Sequence, residues 1–254
     1  MAFTIRAACL CDTGRIRSNN EDNFLFRGLS LRQENSALPT VLRHSCTTEK
    51  KQLFAVFDGM GGENHGEAAA FAAAKAAYGV SRREDNLSED FLNRAVLDIN
   101  RAVFRAAQAL GTDRMGATLA MIGFEDDTAW VCNLGDSRIF LLRGDAFGQL
   151  SIDHTDEKEL LERGIRRKPR LTQHLGINPE EMLVEPHIAA GTLEPGDRFL
   201  ICSDGLTDML VPDEIGTALA EIPEPADCAA ALVEQALARG GKDNVTVIVC
   251  AVEA

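Results

Sequence analysis

The sequence predicts an α+β domain in which β-sheets are covered by helices. Three observations point there. Short apolar runs of strand length alternate with longer segments of helical character. The chain has 254 residues, 45% hydrophobic and 26% charged, which is ordinary globular usage and excludes wholesale disorder. No internal repeat, low-complexity tract or linker divides it, so a single domain over 1–254 is expected.

Taken in order, residues 5–11 and 23–27 read as short strands. Residues 53–57 (LFAVF) form a compact apolar run ended by Asp58-Gly59, a buried strand meeting a turn. Residues 65–80 hold eight alanines between Ala68 and Ala77, which favours a helix slim enough to lie close on a sheet. Residues 88–110 open at Ser88 with Asp90 near the first turn. Phe91, Ala95, Leu97, Val103, Phe104 and Leu110 then follow at roughly helical spacing. Residues 118–124, 128–133 and 138–142 read as three strands joined by turns. Residues 153–182 are polar and lack a period, so an irregular surface segment is expected. A strand at 197–202, helices at 212–219 and 226–239, and a closing strand at 245–252 complete the reading.

Composition excludes several function classes. With 39 acids against 26 bases the net charge is −13, which argues against a nucleic-acid binder working by bulk charge. No stretch approaches 18 continuous apolar residues, so no membrane partner is expected. The N-terminus lacks a basic start followed by a long apolar run, which points away from a secretory signal and towards the cytoplasm. The seven cysteines are scattered, without a CxxC pair, and read as buried thiols in a reducing compartment.

Several acids share one local context. Asp58 and Asp204 each end an apolar strand and precede glycine; Asp136 follows a strand within GDSR. Asp243 opens the last strand, and Glu21-Asp22 opens another. A strand end places a carboxylate at the rim of a sheet on a rigid base. Converging rims would make an all-oxygen cage suited to Mg²⁺ or Mn²⁺, and a backbone carbonyl at glycine can join it. Any one Asp-Gly is normally just a turn. On residue pattern alone, a metal site and a set of ordinary turns both stay open.

The ordered set RSNNED (17–22), LFAVFDGMGG (53–62), MGATL (115–119), NLGDSR (133–138), LICSDGL (200–206) and GGKDNVTVIV (240–249) resembles the metal-dependent protein phosphatases of type 2C, the PPM family. The resemblance runs from about residue 5 to 252 and is greatest to compact bacterial members, which carry DGMGG. It implies a four-layer α-β-β-α sandwich with two central mixed or antiparallel sheets flanked by helices. It also implies two Mn²⁺ or Mg²⁺ ions per chain. Carried over by motif, Asp58 would bridge both metals, with the Gly59 carbonyl and Glu21 on one and Asp204 and Asp243 on the other. Asp22 would act through a metal-bound water, Asp136 with Asp204 would hold a weaker third ion, and Arg17 would bind phosphate. The implied activity is direct hydrolysis of phosphoserine and phosphothreonine in proteins, reversing a serine/threonine kinase, by a monomer.

Two departures stand out. Met60 occupies the position where many eukaryotic members carry His, a proposed general acid, and methionine has no proton to give. His65 and His154 are the substitutes at hand, each more readily read as a surface or capping residue. The segment 153–182 corresponds to a variable flap and contains RGIRRKPR. There Arg166, Arg167 and Lys168 would capture acidic or phosphorylated segments, or simply form a solvated face. Three rival readings are a phosphatase dedicated to one small phosphoprotein, a pseudophosphatase acting as a binding module, and another two-metal hydrolase such as a nuclease. Retention of all six metal-site acids speaks against the second. Net charge and motif order speak against the third.

Overall fold

The computed structural model describes residues 2–34, 37–60 and 65–254. Two antiparallel sheets lie face to face. The first contains, in spatial order, β3 (Leu42–Thr47), β1 (Thr4–Asp12), β12 (Val245–Glu253), β11 (Arg198–Cys202), β8 (Arg138–Arg143) and β9 (Ala146–Gln149). The second contains β10 (His187–Thr192), β7 (Thr128–Leu134), β6 (Leu119–Glu125), β4 (Gln52–Met60) and β2 (Asp22–Leu25), with the short β5 (Gly116–Ala117) on the end of β4.

Strand periodicity explains the layering. In β4, Leu53, Ala55 and Phe57 point outward beneath α1 (Gly66–Ser81) and α2 (Glu89–Leu110), while Phe54 and Val56 point between the sheets. In β12, Val245, Val247 and Val249 face α5 (Pro212–Glu221) and α6 (Pro225–Ala238), while Ile248, Cys250 and Val252 face the inter-sheet layer. Both faces of these strands are buried, which is why LFAVF and, Thr246 apart, VTVIVCAV are apolar throughout. Six of the eight alanines of α1 are buried, and the helix packs on β4, β2 and α2 as their size foretold. The result is an α-β-β-α sandwich.

The elements not foreseen are instructive. β3, β9 and β10 are all edge strands with exposed or half-exposed residues, so no apolar run marks them. Within 153–182 the chain forms α3 (Glu157–Glu162), and the rest is irregular as expected. Cys9, Cys11, Cys132, Cys202, Cys228 and Cys250 are buried free thiols and Cys46 is half-buried. Among the described residues no helix is long and apolar enough to cross a membrane.

Candidate metal centre

One end of the sandwich collects the acids. Asp22 opens β2, Asp58-Gly59 lie at the end of β4, and Asp136 sits in the turn between β7 and β8. Asp204 opens α4 (Asp204–Thr207) immediately after β11, and Asp243 stands two residues before β12. Asp22 and Asp58 are directly opposite in the β2–β4 register. Like charges so placed repel, so another interaction must hold them.

Asp58 is fixed through its backbone. Its N–H donates to Thr118 Oγ1 at 3.0 Å, and its carbonyl accepts the Thr118 N–H at 2.8 Å. The Thr118 hydroxyl is in turn 2.6 Å from Ser137 Oγ. The carboxylate is left to face its neighbours. Burial, followed by the charges of Asp204, Asp22, Asp136 and Asp243, holds its pKa well above the usual carboxylate range.

Asp22 is 3% exposed and differently served. Its Oδ2 accepts from Ser203 Oγ at 2.7 Å and Thr246 Oγ1 at 2.6 Å. These bonds tie β2 of one sheet to β12 and to the residue that follows β11 in the other. Burial pushes Asp22 up to about 7 against the pull of the two hydroxyls. Asp136 is raised to about 6, by burial first and then by Asp204.

Glu21 and Gly59 share one spot. The Glu21 carbonyl accepts the Gly59 N–H at 3.0 Å. A Cβ built on Gly66 would lie 2.8 Å from both Glu21 Oε2 and the Gly59 carbonyl oxygen, so the two oxygens converge beside the start of α1. Asn244 braces this corner by accepting the Glu21 N–H at 2.7 Å and donating to the carbonyls of Thr13 and Asn19.

The cations lie on the acids. Arg17 Nη2 donates to Asp243 Oδ2 at 2.6 Å, and Lys168 Nζ lies 3.3 Å from Asp204 Oδ2 and 3.5 Å from Asp208 Oδ2. Arg167 is ion-paired with Asp156, whose Oδ1 also accepts the Arg170 N–H at 2.8 Å, closing the flap on itself. Arg166 is exposed and carries no ion pair among the described residues. His154 Nδ1 accepts the Gly135 N–H at 3.2 Å in the turn between β7 and β8; His65 precedes α1 without a side-chain cap. Gly61 and Gly62 of the DGMGG motif lie outside the described residues.

Among the described residues no three His, Cys, Asp or Glu side chains are drawn tightly enough to enclose an ion. Two of the carboxylates, Asp243 and Asp204, are turned to Arg17 and Lys168. The donor set still fits a hard divalent cation: it is all oxygen, strongly anionic and costly to leave unneutralised. The sign of the pH effect follows. Carboxyls whose pKa rises on folding stabilise the metal-free protein below about pH 4, and that stability is lost as pH rises through about 6 to 7. A divalent cation held by these carboxylates would replace the protons, so the gain in Tm on adding Mn²⁺ should be small at pH 5 and larger at pH 7.5, by about 5 °C or more. Calorimetry with and without Mn²⁺ checks this; a gain independent of pH would contradict it.

Sequence reasoning passed over Thr118, Ser203, Asn244 and Thr246. Each sits inside a quoted motif, yet its bond is made to a residue distant along the chain. Only the fold reveals the pairing.

Comparisons with known proteins point to one family. The protein phosphatase 2C family model matches residues 41–238. The chain is 33% identical to the serine/threonine protein phosphatase PstP of Mycobacterium tuberculosis over 98% of its own length, and it spans 45% of that protein. It is 29% identical to the protein phosphatase PhpP of Streptococcus pneumoniae, with 94% of each covered. The crystal structure of the PstP catalytic domain in complex with two manganese ions superposes with a TM-score of 0.80, at 32% identity and complete coverage of both chains.

Proposed function

The chain belongs to the protein phosphatase 2C family, and from that membership we propose that it is a Mn²⁺- or Mg²⁺-dependent phosphatase of phosphoserine and phosphothreonine in proteins, opposing a serine/threonine kinase in the cytoplasm. The observation that carries this reading is the gathering of Glu21, Asp22, Asp58, Asp136, Asp204 and Asp243 from both sheets at one end, with Arg17 at its rim.

Asp58 would hold both ions. Glu21 and the Gly59 carbonyl, which converge, would complete one position; Asp204 and Asp243 would complete the other. Asp136 with Asp204 offers a third, weaker position, and Asp22 supports the group from behind through Ser203 and Thr246. When bound, the ions offset the charge of the phosphate dianion and acidify water enough for it to attack at neutral pH. Arg17 has further N–H groups besides the one on Asp243, and its fork suits phosphate oxygens. Lys168 lies on Asp204 and Asp208 at this end, and together with its flap neighbours Arg166 and Arg167 it would meet an acidic phosphoprotein segment.

Among the described residues, the buried thiols and Ser203 do not suit a phosphoenzyme route. Burial pushes Cys11, Cys132 and Cys202 up to about 12, far from a nucleophilic thiolate. The Ser203 hydroxyl is committed to Asp22. Direct attack by water breaks the P–O bond to the side chain. Met60 lacks a proton for the departing alkoxide, which therefore takes one from solvent. Hydrolysis of a phosphothreonine peptide should require Mn²⁺ or Mg²⁺ and stop in EDTA. In the same assay Arg17→Ala should lower kcat/KM about tenfold to a hundredfold. Full turnover in EDTA would reject the reading.

A further inference from the structure

The far end of the sandwich carries a groove that the metal centre does not use. From Asp58 back to Leu53 along β4 is about 17 Å at the usual strand rise. There the tight turn Phe26–Leu29, His44 of β3, Tyr78 and Ser81 of the last turn of α1, and Arg82 just beyond it surround a cavity of about 320 Å³. Its wall also includes Lys51 and Gln52, and no Asp or Glu is among the described residues lining it. That is unusual on a chain of net charge −13.

The turn holds the second clue. Phe26 N–H donates to the Leu29 carbonyl at 3.0 Å, and Leu29 N–H to the Phe26 carbonyl at 2.8 Å, closing a two-residue hairpin. Both central residues have positive φ, 54° at Arg27 and 70° at Gly28. This is the type I′ pattern, where Asn, Asp or Gly is favoured first. Among the described residues one other non-glycine has positive φ, Asp126, whose short polar side chain tolerates it. Arg27 has no such local excuse. Strain of this kind points to a use for the side chain.

The cations are also uncommitted. Neither Arg27 nor Arg82 has a carboxylate partner among the described residues, whereas Lys51 Nζ is occupied by the carbonyls of Arg83 and Asp85. His44 lies edge-on to Phe26 with ring centroids 6.2 Å apart. Burial and then the Arg27 charge hold the His44 pKa below its ordinary value.

We propose that this groove is a second, non-catalytic site that binds an oxyanion, a phosphate or carboxylate group, through Arg27, Arg82 and His44. The anion is carried by an acidic peptide segment or is free in solution. Guanidinium forks fit either group.

The test uses the whole chain carrying Asp58→Asn, so that nothing is turned over, and follows backbone amide resonances. Hexaglutamate and inorganic phosphate are titrated separately at low salt. Saturable shifts at Gly28, His44 and Arg82 are expected with at least one, and the arm that saturates identifies the source. Arg27→Asn should weaken that binding about tenfold. Because Asn-Gly is the preferred type I′ pair, the same variant should keep or raise Tm, and in the otherwise wild-type chain it should leave aryl phosphate turnover unchanged. Absence of shifts at these residues with both probes would overturn the proposal. So would equal affinity in Arg27→Asn, or a lowered Tm, which would make Arg27 a structural residue.

Discussion

Replacing Asp58 with Asn is expected to reduce turnover of a phosphothreonine peptide by about 10³-fold or more at saturating Mn²⁺, while the protein stays folded. The size follows from losing several kcal/mol of charge stabilisation by the ions, at about 1.4 kcal/mol per factor of ten. Persistence of the fold follows from the backbone. Asp58 is held by its own N–H and C=O on Thr118, and the amide leaves both bonds in place. The substitution also removes one charge from a crowd of five mutually repelling acids. The metal-free variant should therefore melt slightly higher than the metal-free parent at pH 7. Peptide turnover and calorimetry on the same preparation decide the matter. Near-parental turnover would remove Asp58 from the centre. A large fall in metal-free Tm would mean that its role is structural.

Gly59→Ala should be the most damaging small substitution. A methyl there would overlap the Gly66 carbonyl oxygen and come within 2.6 Å of the Glu21 carbonyl oxygen. Both neighbours are backbone, so neither can swing aside, and the start of α1 or the Glu21 strand entry must move. Overpacking of this kind costs about 3 kcal/mol, or about 6 to 12 °C of Tm in a chain of this size. Activity should fall as well, because the displaced atoms are the proposed ligands. Gly79 is the control: nothing lies within 4 Å of a Cβ there, and it sits inside α1. Gly79→Ala should be neutral or stabilising by up to about 1 kcal/mol. Equal melting shifts for the two variants would show that the close approach at Gly59 is not what limits stability.

How far the chain could be read in advance depended on burial. Interior strands such as β4 and β12 have both faces covered, and their apolar runs were plain. The edge strands β3, β9 and β10 are bonded on one side only and half exposed, so their composition is that of a loop. The acids were legible as a set because strand-end Asp-Gly recurs at ordered positions. Their partners were not. Ser203 and Thr246 look like ordinary small residues until β11 and β12 bring them to Asp22.

The flap shows the same division. Its cations could be counted in RGIRRKPR, but their assignments differ once the chain folds. Arg167 closes on Asp156, Lys168 reaches Asp204 and Asp208, and Arg166 remains open to solvent. A tally of charge does not distinguish these three.

The order of apolar runs, alanine-rich helix and acidic turns was enough to predict sheets covered by helices and to carry the family resemblance, which in turn implied the four layers and the proposed metal-site acids. These depend on local chemistry and on periods of 2.0 and 3.6 residues, which a linear chain displays. Which carboxylate is buried, which is braced, and which has a cation resting on it was settled by the fold alone. So was the groove at the opposite end, assembled from residues between 26 and 82. Electrostatic and hydrogen-bond energies depend on distances of a few ångströms between groups far apart in sequence. Those distances do not exist until the two sheets close on each other.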